Sequence, residues 1–218
     1  MLRPGPEVCR APSRGAVGRE QADDGVMEQI QSQPVPAIVR WTERLEQTEA
    51  LDGPVQAIEP TITSVFGSGT TGWALRGEWL GHALHPLLTD ITMGSWTSAT
   101  VLDLVGGPAS APAAQRLVGL GLLTAAPTAW SGWAEWSETG TRDKRVGLVH
   151  AAGNALAATA YAASWIARRS GNHRLGAVLA IGGAGASGAA AYLGGHLAVA
   201  RGVGSKHPVF DDPAQIVT

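Results

Sequence analysis

Residues 175 to 200, LGAVLAIGGAGASGAAAYLGGHLAVA, run for 26 residues without an Asp, Glu, Lys or Arg. As a helix at about 1.5 Å per residue this stretch reaches about 39 Å, enough to cross the roughly 30 Å of hydrocarbon in a bilayer. Buried helices of soluble proteins are rarely so long without a charge, so the segment restricts the chain to folds that place this helix in lipid. A second uncharged stretch, VGLVHAAGNALAATAYAASWIA over 146 to 167, makes the same demand. Two weaker ones lie at about 86 to 105, which holds Asp90 and Asp103, and about 117 to 134, which Pro127 interrupts. Spans tolerate such residues when neighbouring helices satisfy them. The expected fold is therefore all-α: a polytopic membrane four-helix bundle over 73–205, behind a disordered N-terminal tail.

The remainder of the chain is of another character. Residues 1–36 mix charge with Pro4, Pro6, Pro12, Pro34 and Pro36 and read as the disordered tail. The tail lacks the apolar core of a secretory leader, and Met27 is an alternative start. Residues 37–50 place Ile38, Trp41, Leu45 and Thr48 at helical spacing, predicting a short amphipathic helix that packs locally. Residues 51–72 read as a linker. Their GSGTTG lacks the Lys of a phosphate-binding loop, which argues against nucleotide binding. Residues 206–218 form a C-terminal tail. Trp73, Trp79, Trp130, Trp133 and Trp136 fall at span ends, where amphipathic rings meet lipid headgroups. The last span has 16 Gly or Ala among its 26 residues. Its Ala184/Gly188 and Gly185/Ala189 pairs suit close helix packing within the bundle or against a second copy.

A net charge of −2, with no basic run interleaved with aromatics, argues against nucleic acid. The single Cys9 excludes an internal disulfide and any cysteine-built metal cluster within one chain. No Ser or Cys nucleophile is paired with a base in a recognisable pattern, so independent catalysis is not expected.

Four spans bring His82, His85, Asp90, His150, Asn154 and His196 to one membrane face. His150 and His196 are each expected about 6 Å deep, and facing, on the third and fourth spans. Two of His85, His150 and His196 could hold haem or another redox group, with Asn154 in support. A metal or proton site using His82, His85 and Asp90 is the alternative. Shallow histidines also serve as plain hydrogen-bonding ties for helix ends. Asp103 reads as a solvated helix terminus. Arg76, Arg142, Lys144, Arg145, Arg201 and Lys206 lie on the side of the termini, against Arg116, Arg168, Arg169 and Arg174 opposite. That excess orients both termini and the histidines toward the cytoplasm.

The segments WLGHALHPLLTDITMGSWTSATVLDLVGG, WSGWAEWSE, RVGLVHAAGNALA and GGHLAVARGVG resemble a bacterial membrane family catalogued as domain of unknown function 2231, over roughly 73 to 205. The resemblance implies four spans in a bacterial inner membrane. It places His82, His85, Asp90, His150, Asn154 and His196 on the family's recurrent positions. Some members carry a Rieske-type iron–sulfur domain after the last span, which implies electron transfer; this chain has no downstream Cys/His pairs, so such a partner would be a separate protein. The family's usual GHPLHP is GHALHP here, with Ala83 for the first Pro. No catalytic role carries over. Two function classes stand: a redox-linked membrane subunit that binds haem or meets quinone, and a non-catalytic membrane scaffold with structural histidines.

Overall fold

Pro86 and Pro112 each sit in the first turn of a long helix, where a missing N–H costs nothing. In the computed structural model, which describes residues 34–211, they open two of four long helices. The helices are α1 (Ala37–Glu46), α2 (Asp52–Ile62), α3 (Gly69–Arg76), α4 (His85–Val105), α5 (Ala111–Ser137), α6 (Thr141–Arg169) and α7 (His173–Gly195). A π-turn over His196–Ala200 prolongs α7, and another over Thr63–Gly67 joins α2 to α3. No strand occurs among the described residues; His82 and Lys206 form an isolated antiparallel bridge. The chain divides after Trp41 into two units, and everything from Thr42 onward belongs to the second.

The turns between the long helices are short and built on residues that stop helices. Gly107 (φ +65°) precedes Pro108 between α4 and α5, and Gly171 (φ +83°) follows α6. Asn172 caps α7 by accepting from the Leu175 N–H at 3.1 Å. Such connections make sequence neighbours antiparallel. Helix α4 packs on α5 and α6 on α7, while α5 meets α6 and α4 meets α7 to close the set. Pro127 leaves α5 continuous, and nearby Thr124 and Thr128 hydroxyls bond back to the carbonyls of Leu120 and Thr124.

The packing is small and polar within and apolar without. Buried positions of the long helices include Thr92, Ser95, Ser131, Ser164, Ser187, Gly121, Gly183 and Ala190. Leu104, Leu123, Leu156, Ile166 and Val178 are all more than half exposed on the outside. The stretch His173–Ala200, at mean hydropathy 1.4, is the one helix among the described residues long and apolar enough by itself to cross a membrane. The other three long helices carry more hydroxyls and charges and fall short of that measure.

Several expectations change. Residues 51–72 are not a linker: α2, the π-turn and α3 occupy them, because Pro54 lies in a first turn and Gly67 packs tightly under Ser137 of α5. Helix α1 forms, but its buried face is Thr42 and Glu46 while Ile38 and Trp41 are exposed. On α7 the packing face is Gly176, Ala180, Gly183, Ser187 and Ala190; Gly185, Gly188 and Ala189 face outward. Trp136 is 5 % exposed, its Nε1–H donating to the Lys144 carbonyl at 3.0 Å, so it locks the α5–α6 turn. Asp103 is not solvated: Arg168 grips it bidentately at 2.9 and 2.5 Å, with both side chains buried. Residues 206–211 are tied down, since the His207 N–H donates to the Gly81 carbonyl at 2.8 Å. The proposed disorder of residues 1–33, and the end of the C-terminal tail, lie outside the described residues.

Candidate histidine chamber

His85 is the first residue of α4, and its ring leans on α5. Nδ1 lies 2.9 Å from the Thr128 carbonyl and 3.2 Å from Ser131 Oγ. A carbonyl only accepts, so Nδ1 carries the proton and Nε2 keeps its lone pair. The ring fits because position 132 is glycine: a Cβ there would stand 2.9 Å from His85 Cε1. His150 on α6 repeats the arrangement against α7. Its Nδ1 donates to the Ala190 carbonyl at 2.8 Å, and a Cβ at Gly194 would stand 2.8 Å from its Cε1. Its Nε2 lies 3.0 Å from Asn154 Nδ2, which donates to it one turn along the helix.

The two histidines are related by more than likeness. His85 and His150 are 65 residues apart, as are Trp96 and Tyr161, and Asp103 and Arg168. Members of two of the pairs meet across the helices, the Trp96 and Tyr161 rings stacking at 4.1 Å and Asp103 and Arg168 forming the buried ion pair, while His85 and His150 line one cavity. On the partner helices the spacing is 62: Thr128 and Ala190 receive the imidazoles, Gly132 and Gly194 underlie them, and Gly121 and Gly183 underlie Trp96 and Tyr161. Equivalent residues touching each other is the contact pattern of two like hairpins, α4–α5 and α6–α7, about a two-fold axis.

Between the hairpins lies a chamber of about 500 Å³ with mainly apolar walls, lined among others by His85, Asp90, Trp96, Glu135, His150 and Asn154. Trp96 Nε1 is buried without a hydrogen-bond partner. Of the sequence-derived candidates, His85, Asp90, His150 and Asn154 share this chamber; Asp90 is exposed while lining it. His196 is not in the lining. Its Nε2 pairs with Glu46 Oε1 of α1 at 2.7 Å, so His150 finds its counterpart in His85 rather than His196. His82 is exposed, with Nδ1 3.1 Å from the Ala83 carbonyl, and lines a separate outer cavity. Among the described residues no three His, Cys, Asp or Glu side chains group to hold a metal ion, the set His82, His85 and Asp90 included.

Glu135, Trp96 and Tyr161 were missed by sequence reasoning. The signal available was the 65-residue recurrence of a His followed by an aromatic 11 positions later, obscured because Trp answers Tyr and Asp answers Arg. Around the chamber the basic start of α6 anchors the short helices: Arg145 binds Asp52 bidentately at 2.6 and 2.7 Å, and Lys144 pairs with Glu59. The guanidinium hydrogen bonds hold the Asp52 carboxyl below its usual range.

No curated protein and no solved structure matches the chain. A family model described as "Predicted membrane protein (DUF2231)" matches residues 81–207, which takes in all four long helices from His85 and the whole chamber. The chain belongs to the DUF2231 family of predicted membrane proteins.

Proposed function

We propose that α4 to α7 are four membrane spans, with both termini cytoplasmic, and that the chamber between them receives a flat, largely apolar redox molecule held by His85 and His150. The spanning reading draws support from the distribution of side chains. Large aliphatic residues face outward on the long helices while hydroxyls, glycines and the Asp103–Arg168 pair are buried, the reverse of a water-soluble helical protein.

The observation that carries the ligand reading is the matched pair of imidazoles. Each has Nδ1 tied to a backbone carbonyl of the next helix, the second interaction that fixes ring orientation in metal-bound histidine. A bare metal ion would require further donors. Haem would need only two protein ligands, and His85 and His150 are the residues that would hold it, through Nε2, with Asn154 giving up its bond to His150; when bound it would supply one-electron redox chemistry. A chamber of about 500 Å³ is within the range of small-molecule sites. The scaffold reading has its own support in His196, whose pairing with Glu46 ties α7 to α1.

Carbonate-washed membranes should retain the protein. Protein purified in mild detergent should show a Soret band and sharp reduced-state bands that His85→Ala and His150→Ala abolish and His196→Ala leaves in place. A colourless sample that binds a quinol analogue with the same mutational pattern would assign the chamber to quinone. A colourless sample that binds neither leaves the histidines as structural ties, and the ligand reading fails.

A further inference from the structure

Outside the chamber, between α3, the end of α5 and residues 201–208, lies a second cavity of about 700 Å³ with walls part polar and part apolar that include Arg76, Glu78, Asp143, Arg201 and Lys206. Glu135 lines both this cavity and the histidine chamber. Its side chain is divided in its bonding. Oε2 accepts from the Ser205 N–H at 2.9 Å and the Ser205 hydroxyl at 2.8 Å, whereas Oε1 is buried with no hydrogen-bond partner. The residue is only 7 % exposed. A buried carboxylate oxygen without a donor is costly, and a proton on that oxygen removes the cost of burying its charge.

We propose that Glu135 is the proton-exchange group between the outer cavity and the histidine chamber. In its neutral form Oε1 carries the proton. Passing it to a water in the chamber leaves a carboxylate, which the two Ser205 donors hold on Oε2 and the Arg76 charge steadies, with Glu78 acting against it. A hydronium in the outer cavity then returns a proton to the carboxylate, so one proton moves inward per cycle and no electron is transferred. Of the other charged groups nearby, Asp143 lines both cavities, Arg201 and Lys206 line the outer one, and His85 lines the chamber. The inference rests on the chamber being the working site, yet its test requires no ligand there.

The experiment is infrared difference spectroscopy on the full chain in lipid, without added cofactor, across a pH titration and after transfer to D₂O. The wild type should show the carbonyl stretch of a neutral carboxylic acid near neutral pH, shifting in D₂O and absent in Glu135→Gln, which keeps an oxygen for Ser205. Ser205→Ala, which removes one donor to the carboxylate, should carry the band to higher pH. Glu135→Asp should keep a neutral-acid band at a shifted position. A band unchanged in Glu135→Gln, or no neutral-acid band in the wild type near neutral pH, overturns the proposal. Failure of the haem spectrum alone leaves these readouts unaffected.

Discussion

Replacing Arg168 by Met removes one half of the most deeply buried ion pair among the described residues. The Arg168 side chain is 0 % and that of Asp103 6 % exposed. The guanidinium spends its N–H groups on Asp103 Oδ1 and Oδ2 and on Ser164 Oγ at 3.1 Å. Methionine fills much of the same volume, so packing is largely kept and the loss is electrostatic: Asp103 is left buried without its counter-charge. Breaking a buried pair in this way costs about 3–5 kcal/mol. At about 2–4 °C per kcal/mol for a protein of this size, Tm in detergent should fall by about 6–20 °C. The double variant Asp103→Leu with Arg168→Met removes both charges and should recover most of the loss, because apolar replacement of a complete buried pair is often neutral or stabilising. The assay is thermal unfolding followed by circular dichroism, with both variants and the wild type in one detergent. A single-variant loss under about 1 kcal/mol, the size of an exposed pair, would refute the burial on which this reasoning rests. A double variant as unstable as the single would show that the cost lies in packing.

Three further outcomes follow from other parts of the molecule. Asp52 has a depressed carboxyl pKa because Arg145 bonds it, so its contribution is present above the ordinary value of 3.8 and is lost as pH falls through the lower folded value; Asp52→Asn should remove that part of the acid unfolding curve measured by circular dichroism. Gly121→Ala puts a Cβ 2.3 Å from Trp96 Nε1, and Gly183→Ala puts one 2.9 Å from Tyr161 Cε2; each should cost about 1–3 kcal/mol and weaken the near-UV signal of the stacked rings, and unchanged spectra would count against the packing. A reporter fused after Thr218 should be active in the cytoplasm, since the basic excess lies on the side of the termini; activity confined to the other side would invert the proposed topology.

The all-helical character and the approximate places of the four long helices were legible in the sequence, because uncharged length predicts helix wherever a backbone must satisfy itself, although the second begins at Ala111 rather than about 117 and the third at Thr141 rather than 146. Of the six residues that helical rise placed at one level, His85, Asp90, His150 and Asn154 line one chamber, whereas His82 and His196 lie outside its lining. Residues 51–72 were not, since Gly, Pro and Thr read as loop until α5 gives the segment a surface to pack on. The same holds for α1: its apolar residues suggested the buried face, but Glu46 has partners in His196 and the Arg145 guanidinium that lie far away in sequence.

The absence of charge thus determined which four segments are long helices and, through helical rise, which polar residues stand near one level, because these depend on neighbours within a few turns. Rotation of each helix about its axis is decided by contacts between helices, and sequence spacing carries no measure of it. Tertiary structure alone therefore chose His85 over His196 as the counterpart of His150, turned Asp103 inward to Arg168, and put Glu135 between two cavities. Each of these depends on which face of one helix meets which face of another, and that is settled by glycines at 121, 132, 183 and 194 admitting large rings where any Cβ would exclude them.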